Sequence, residues 1–247
     1  MMESITSRKN RIITRLRALG ADRAFRETEG EYVCDGIKLL REAVAWEQEI
    51  GCVLWAEEPA AEVRCAAQYR VSRELLDYVS PLKSAQGVLF TVRMRPQDKG
   101  TPGRTLVLET IQDPGNLGTI LRTADALGMD SVVLTGECAD VYNPKTVRAT
   151  MGAVFRQRFL RLERGELLAW LHGHGMRLYG AALSERACDL RKVDLGCAAV
   201  AIGSEGQGLS AELLEMCDGE LIIPMRARCE SLNAAVAAAI VMWELTK

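Results

Sequence analysis

The sequence predicts an α/β protein, with a smaller N-terminal α/β unit followed by a larger one built on a parallel sheet. Three observations predict this. From about residue 105 onward, short apolar runs of strand length alternate with helix-length segments, the pattern of strands buried on both faces by crossover helices. A stretch of two prolines, two glycines and five charges, RMRPQDKGTPGRT at 93–105, separates that region from what precedes it. The 247 residues are 48% hydrophobic and 26% charged, an ordinary folded-protein balance with enough chain for one large or two small domains. The expected division is 1–95, a linker at 96–104, and 105–247.

Taken in order, the N-terminal part reads as a helix near 8–19, a strand near 31–34 and a helix near 36–47. Strands near 51–56 and 87–93 follow, with a short helix near 72–77 between them. Beyond the linker, TLVLET is a strand, 117–127 a helix, SVVLTG a strand and 144–153 a helix. RQRFL, RLYGAAL, AAVAIG and GELIIPM are strand candidates, interleaved with helices near 165–173 and 210–217, and a helix over 231–246 ends the chain.

Net charge is −2, but its distribution is uneven. Arg8, Lys9, Arg11, Arg15, Arg17, Arg23 and Arg26 face a single acid, Asp22. Lys145, Arg148, Arg156, Arg158, Arg161 and Arg164 face only Glu163. Local excess of this kind is the footprint of a polyanion binder, or equally a solvated helix face. The cysteines, at positions 34, 52, 65, 138, 188, 197, 217 and 229, form no CxxC pair and no zinc-ligand spacing with histidine. Several sit inside apolar runs and read as small buried hydrophobes, and with no secretory signal peptide a reducing cytoplasm is expected. The longest apolar stretch, LNAAVAAAIVMW at 232–243, is too short to span a bilayer.

Three loops leave the C-terminal ends of predicted strands, the edge at which open α/β sheets bind ligands. In DPGNLGTILRTADALG, Asn116 is a candidate N-cap, and Leu117, Ile120, Leu121, Ala124 and Leu127 form a core stripe. Arg122 lies off that stripe, either paired with Asp125 at i,i+3 or free for a ligand. In AAVAIGSEGQGLS the glycines are Gly203, Gly206 and Gly208, with Ser210 as a helix cap. This is neither a dinucleotide fingerprint nor a P-loop, and Glu205 would repel phosphate. In IIPMRARCESLNAAVAAAIVMWEL, Ser231 is placed to cap a helix that is apolar all round. Such a helix must be covered on every side, by its own sheet and a partner, or as a core helix within a monomer.

Together these loops resemble the three motifs of the SpoU/TrmH family of RNA ribose 2′-O-methyltransferases, in the SPOUT superfamily. NPKTVRATMGAVFR at 143–156 resembles the family's intervening segment, with Thr150 where serine is commoner. Residues 5–92 resemble, more loosely, the family's substrate-binding domain. The resemblance implies a trefoil-knotted C-terminal domain, which periodicity does not show. It also implies S-adenosylmethionine as cofactor, RNA (rRNA or tRNA) as substrate and a homodimer through the knotted domain, with no metal. Carried onto this chain, the catalytic positions are Asn116, Arg122, Glu205, Ser231 and Asn233. The cofactor positions are Leu134, Gly136, Gly203, Ile223, Met225 and Leu232. Arg8, Lys9, Arg11, Lys145, Arg148 and Arg156 are the expected RNA contacts. A sulfonium ligand makes sense of Glu205, whose carboxylate would complement its positive charge or hold Arg122. A non-catalytic RNA-binding protein and a Rossmann oxidoreductase are the competing readings; the intact motif positions disfavour the first, the missing fingerprint the second.

Overall fold

The computed structural model describes residues 2–82, 85–204, 206–226 and 231–247. By internal contacts the chain divides into two compact units, one of Met1–Pro96 with Asp140–Arg156, the other of Gln97–Ala139 with Gln157–Lys247. This differs from the continuous 105–247 reading, because segment 140–156 groups with the first unit.

The first unit runs β1 (Glu3–Ile5), α1 (Arg11–Ala21), α2 (Arg23–Glu29), β2 (Glu31–Asp35), α3 (Ile37–Ala45), β3 (Ile50–Trp55), β4 (Cys65–Val71), α4 (Arg73–Val79) and β5 (Val88–Arg93). Its five-stranded sheet has the order β1-β4-β3-β5-β2. The pairs β1–β4 and β3–β4 are parallel, and β5 is antiparallel to both its neighbours. Apolar residues spaced three apart on α1, Ile13, Leu16 and Leu19, are fully buried and pack with Leu54, Leu75, Leu76 and Leu89. The reason 140–156 belongs here is a set of long-range contacts invisible to local patterning. The Arg26 guanidinium is 3% exposed; it donates to Asp140 Oδ2 at 2.7 and 3.1 Å and to the Leu19 carbonyl at 2.7 Å. The rings of Tyr32 and Tyr142 pack with centroids 4.5 Å apart.

The second unit begins with β6 (Thr105–Glu109), α5 (Pro114–Leu127) and β7 (Ser131–Thr135). The chain then enters the first unit as α6 (Pro144–Thr150) and returns as β8 (Phe159–Arg161). The rest is α7 (Arg164–His172), β9 (Arg177–Ala181), β10 (Cys188–Asp189), β11 (Ala198–Ile202), α8 (Ala211–Met216), β12 (Gly219–Ile222) and α9 (Ala234–Leu245). The sheet order is β10-β12-β9-β11-β6-β7-β8, and every pairing is parallel. β6, β7 and β11 are buried at every position, as strands covered on both faces must be.

Three helix starts differ from expectation. Asp113, not Asn116, caps α5: its Oδ1 accepts from Asn116 N at 2.8 Å, and Pro114 supplies the preset φ of the first helical position. Asn233, not Ser231, caps α9, accepting from Ala235 N at 3.0 Å and Val236 N at 3.3 Å. The helix expected over 144–153 stops at Thr150, because Met151 and Gly152 both take positive φ, 51° and 98°. Ser210 caps α8 as expected, accepting from Leu213 N at 3.1 Å. Among the described residues, no helix is long and apolar enough to cross a membrane.

Candidate active site

Because the seven-stranded sheet is parallel, its C-terminal strand ends share one edge. The loops after β9, β11 and β12 line a cleft there of about 1050 Å³. Its wall includes Leu183 and Ser184 after β9, Gly203 to Ser204 and Gly206 to Leu209 after β11, Ile223 and Met225 after β12, and Ser231, Leu232 and Ala234 at the approach to α9.

The glycine turn is closed on itself. Gly208 N donates to the Ser204 carbonyl at 2.9 Å, Ser204 N to the Gly208 carbonyl at 3.2 Å, and Gln207 N to Ser204 Oγ at 3.3 Å. These amides serve the turn itself, which separates it from the phosphate-cradling loops that aim free N–H groups at their ligand. Gly203 is obligatory for a steric reason: a Cβ there would lie 2.0 Å from the Gly208 carbonyl carbon and oxygen. The turn folds back directly over it. Glu205 lies outside the described residues.

Charge in the cleft leans negative. The ionisable residues on its described lining are Arg186, Glu215 and Glu220, with Cys217 beside them. Glu220 accepts from Ser184 Oγ and faces Arg186 Nη2 at 3.4 Å. Burial, followed by the charges of Asp218, Glu220 and Glu109, pushes the Cys217 thiol up to about 12. It is therefore a neutral wall group and no nucleophile.

The loop behind the cleft rests on Glu109, a 2% exposed carboxylate at the end of β6. Its Oε1 accepts from Arg164 Nε at 2.9 Å and Ser210 Oγ at 2.8 Å, and its Oε2 from Ser210 N at 2.7 Å. Arg164 also reaches Glu212 at 2.8 Å. Glu109 thus fixes the exit of the glycine turn and the start of α8. Sequence reasoning passed over it, although a charge at the last position of an otherwise apolar parallel strand is itself a signal.

Beside the cleft, residues far apart in sequence meet. Asn233, between the lining residues Leu232 and Ala234, donates from Nδ2 to Asn116 Oδ1 at 3.2 Å. Capping by Asp113 leaves the Asn116 side chain available for this contact, while Asn233 caps α9 with its other end. Both amides are thereby oriented at the positive ends of two helices.

Of the expected cofactor positions, Gly203, Ile223, Met225 and Leu232 line the cleft, as does Ser231. Leu134 and Gly136 do not. Leu134 is buried in β7 with its carbonyl accepting from Leu162 N at 3.1 Å, and the Gly136 carbonyl accepts from Arg161 Nη1 at 3.0 Å. Arg122 is exposed on α5 and forms no ion pair or hydrogen bond among the described residues.

Many of the clustered cations have internal work. In the first cluster Arg15 pairs with Glu29 and Glu31, Arg23 with Glu27, and Arg26 with Asp140. Arg8 pairs with Glu74 at 2.5 Å, and Arg8 and Arg17 both lie over the Tyr78 ring. In the second, Arg158 donates to the carbonyls of Asp130, Lys99 and Thr101, Arg161 to those of Gly136 and Cys138, and Arg164 to Glu109. The side chains of Lys9, Arg11, Lys145 and Arg148 are exposed and form no ion pair among the described residues.

Residues 103–243 match the family model of the SpoU rRNA Methylase family. Two relatives match along nearly the whole chain. An uncharacterised tRNA/rRNA methyltransferase of Synechocystis is 35% identical over 98% of this chain and 92% of its own length. The 23S rRNA (guanosine(2553)-2′-O)-methyltransferase RlmP of Bacillus subtilis is 32% identical over 99% of both. Among solved structures, the AdoMet-bound rRNA methyltransferase from Sinorhizobium meliloti superposes with a TM-score of 0.86 at 26% identity, covering 99% of this chain and 97% of that one. The SpoU methyltransferase AviRb from Streptomyces viridochromogenes, in complex with AdoMet, gives 0.87 at 27% identity over 96% and 97%.

Proposed function

The chain belongs to the SpoU rRNA methylase family, and from that premise we propose that it transfers a methyl group from S-adenosylmethionine to a ribose 2′-hydroxyl of RNA, ribosomal rather than transfer RNA. The observation that carries the reading is the Asn116–Asn233 bond beside the glycine-turn cleft, which joins the first and third motifs at one place. The ribosomal assignment is supported by the Bacillus relative and by a Streptomyces viridochromogenes 23S rRNA (uridine(2479)-2′-O)-methyltransferase, 31% identical over 98% of this chain.

The cleft suits the methyl donor. Its apolar wall and the close backbone approach at Gly203 fit an adenosine, and the carboxylates of Glu215 and Glu220 favour a cation. Gly203, Ile223, Met225 and Leu232 would hold the cofactor, with the backbone around Leu134 and Gly136 as further contacts and Glu205 as a further charge. When bound, S-adenosylmethionine supplies an electrophilic methyl on sulfur.

The chain's own contribution is alignment and preorganised charge. Asn116 and Asn233 hold the ribose, aided by the Ser231 hydroxyl. The N-termini of α5 and α9 stabilise negative charge on oxygen. Arg122 grips the neighbouring phosphate and stabilises the developing alkoxide; a guanidinium remains protonated and is no general base. The proton leaves through a phosphate oxygen or water.

Lys9, Arg11, Lys145 and Arg148, with Arg8 and Arg156, position the strand through phosphates. The first unit, residues 1–95 in the sequence division, serves substrate binding. A threaded, trefoil-knotted chain is supported by family membership. A homodimer is supported by α9, whose Val236 and Trp243 are 49% and 58% exposed on an otherwise apolar helix.

Three measurements test the reading. Calorimetry with S-adenosylmethionine should show saturable binding, and its absence overturns the assignment. Mapping 2′-O-methylation in cellular RNA with and without the protein should reveal one lost site. Arg122→Lys should reduce turnover at least tenfold with cofactor affinity unchanged; full activity and an unshifted pH profile would remove the guanidinium from the mechanism.

A further inference from the structure

In the first unit Trp46 is 52% exposed at the C-terminal end of α3, whereas Trp55 in the same unit is 2% exposed. It is neither a core residue nor unsupported. Arg156 places its guanidinium carbon 5.3 Å from the indole centroid, and Arg156 Nη1 is held by the Glu42 carboxylate one turn earlier on α3. Segment 140–156 closes against the same spot, since a Cβ on Gly152 would lie 3.0 Å from Glu42 Cγ. The preceding residue, Met151, is held in the left-handed region and is 49% exposed, and Val44 beside Trp46 is 38% exposed.

The two helices nearby in the unit carry exposed cations. Lys38 and Arg41 on α3, and Lys145 and Arg148 on α6, are exposed and form no ion pair among the described residues. Both helices pack on β2. Glu42 is already paired with Arg156, and Glu47, the residue after Trp46, is an exposed acid.

We propose that Trp46, backed by Arg156, is a stacking platform for an unpaired nucleobase of the RNA substrate. This rests on the RNA-methyltransferase reading and deepens it. RNA recognition favours unstacked bases laid on aromatic rings or guanidinium planes, with cations tracking the backbone. Here one face of the indole is taken by Arg156, and its exposure is left for the other face and the edge. The Glu42–Arg156 pair holds the ring in place before RNA arrives, so little ordering remains to be done on binding. A protein partner would more naturally be met by a larger apolar patch without the four unpaired cations.

The test uses full-length protein with Trp46→Ala and Trp46→Phe, titrated with a short oligoadenylate RNA and, separately, with inorganic polyphosphate, which has charge but no bases. The expected result is an affinity loss on the order of tenfold or more for oligoadenylate in Trp46→Ala. Polyphosphate affinity and the salt slope should be unchanged, and Trp46→Phe should recover most of the loss. An equal loss on polyphosphate would show that Trp46 only supports Arg156, and would overturn the platform. So would unchanged oligoadenylate affinity, including the case where sedimentation of Trp46→Ala reveals a lost contact between copies. If wild-type protein binds no RNA, the RNA-substrate reading itself falls; if wild type binds and Trp46→Ala binds equally, only the platform falls.

Discussion

The two sheets of this molecule do opposite things with their edges. In the seven-stranded sheet every pairing is parallel, so one edge collects the loops after β9, β11 and β12 into a single cleft. In the five-stranded sheet β5 runs against its neighbours and the strand ends are divided between two edges. What that unit offers a ligand is therefore side chains on its surface, such as Trp46, Lys145 and Arg148, and a smaller cleft of about 620 Å³ lined by residues of α1, β3 and β4. Chemistry that needs several groups within bond distance suits the first arrangement, and the proposed recognition of an extended polyanion suits the second.

The sharpest way to break this contrast is Gly203→Ala. The new methyl would collide with backbone at 2.0 Å, and backbone gives way less readily than a side chain. Calorimetry should show cofactor affinity reduced more than about a hundredfold, with a stability cost of about 3 kcal/mol or more. RNA affinity should be retained if, as proposed, it rests on the first unit. Loss of both together would mean that the two surfaces are not separable.

Arg26→Ala attacks the other side. It leaves Asp140 without the guanidinium that binds it at 2.7 Å, and breaking a buried pair costs about 3–5 kcal/mol. Hydrogen exchange should show protection lost in 140–156 before the seven-stranded sheet is affected. Uniform loss across both units would contradict the assignment of that segment.

The smallest effect concerns Asp35. Burial raises its carboxyl above the usual aspartate value, against the lowering effect of hydrogen bonds from Ser80 and Gln86 N. The folded state thus favours the protonated form. Its contribution is fully present below the unfolded value, near pH 4, and is lost as pH rises through the elevated folded value. Asp35→Asn should remove this step, making the variant's melting temperature flatter than wild type as pH rises above the unfolded aspartate value. A parallel pair of profiles would show that Asp35 titrates normally.

How legible was this in the sequence? The three loops at the parallel edge were legible because motif, strand and cap are all local. The helix starts were misread where two good capping residues lie close together. Asp113 and Asn116 compete at α5, Ser231 and Asn233 at α9, and only the 3.2 Å Asn116–Asn233 bond shows that Asn116 serves a contact instead of a cap while Asn233 serves both. β1 and β4 escaped notice because one has three residues and the other, CAAQYRV, is half-exposed along most of its length. The basic clusters marked charge correctly but not its employment. Whether Arg158 faces solvent or the carbonyls of residues 99, 101 and 130 depends on the fold. Glu109 was visible as a charge in an apolar strand, but its partners Arg164 and Ser210 are far along the chain.

The excursion of 140–156 has a practical bearing on anyone wishing to prepare either half separately. The polypeptide passes from one body to the other after residue 96, again after 139 and once more after 156, so a single cut at the proline-rich connector does not liberate two self-sufficient pieces. Expressing 97–247 alone would strand Val147, Ala153, Val154 and Phe155, each at most 1% exposed in the intact protein, with no core to enter. A fragment made without its N-terminal companion should be sticky and prone to proteolysis within that stretch, and replacing it by a short polar bridge is the first remedy to try.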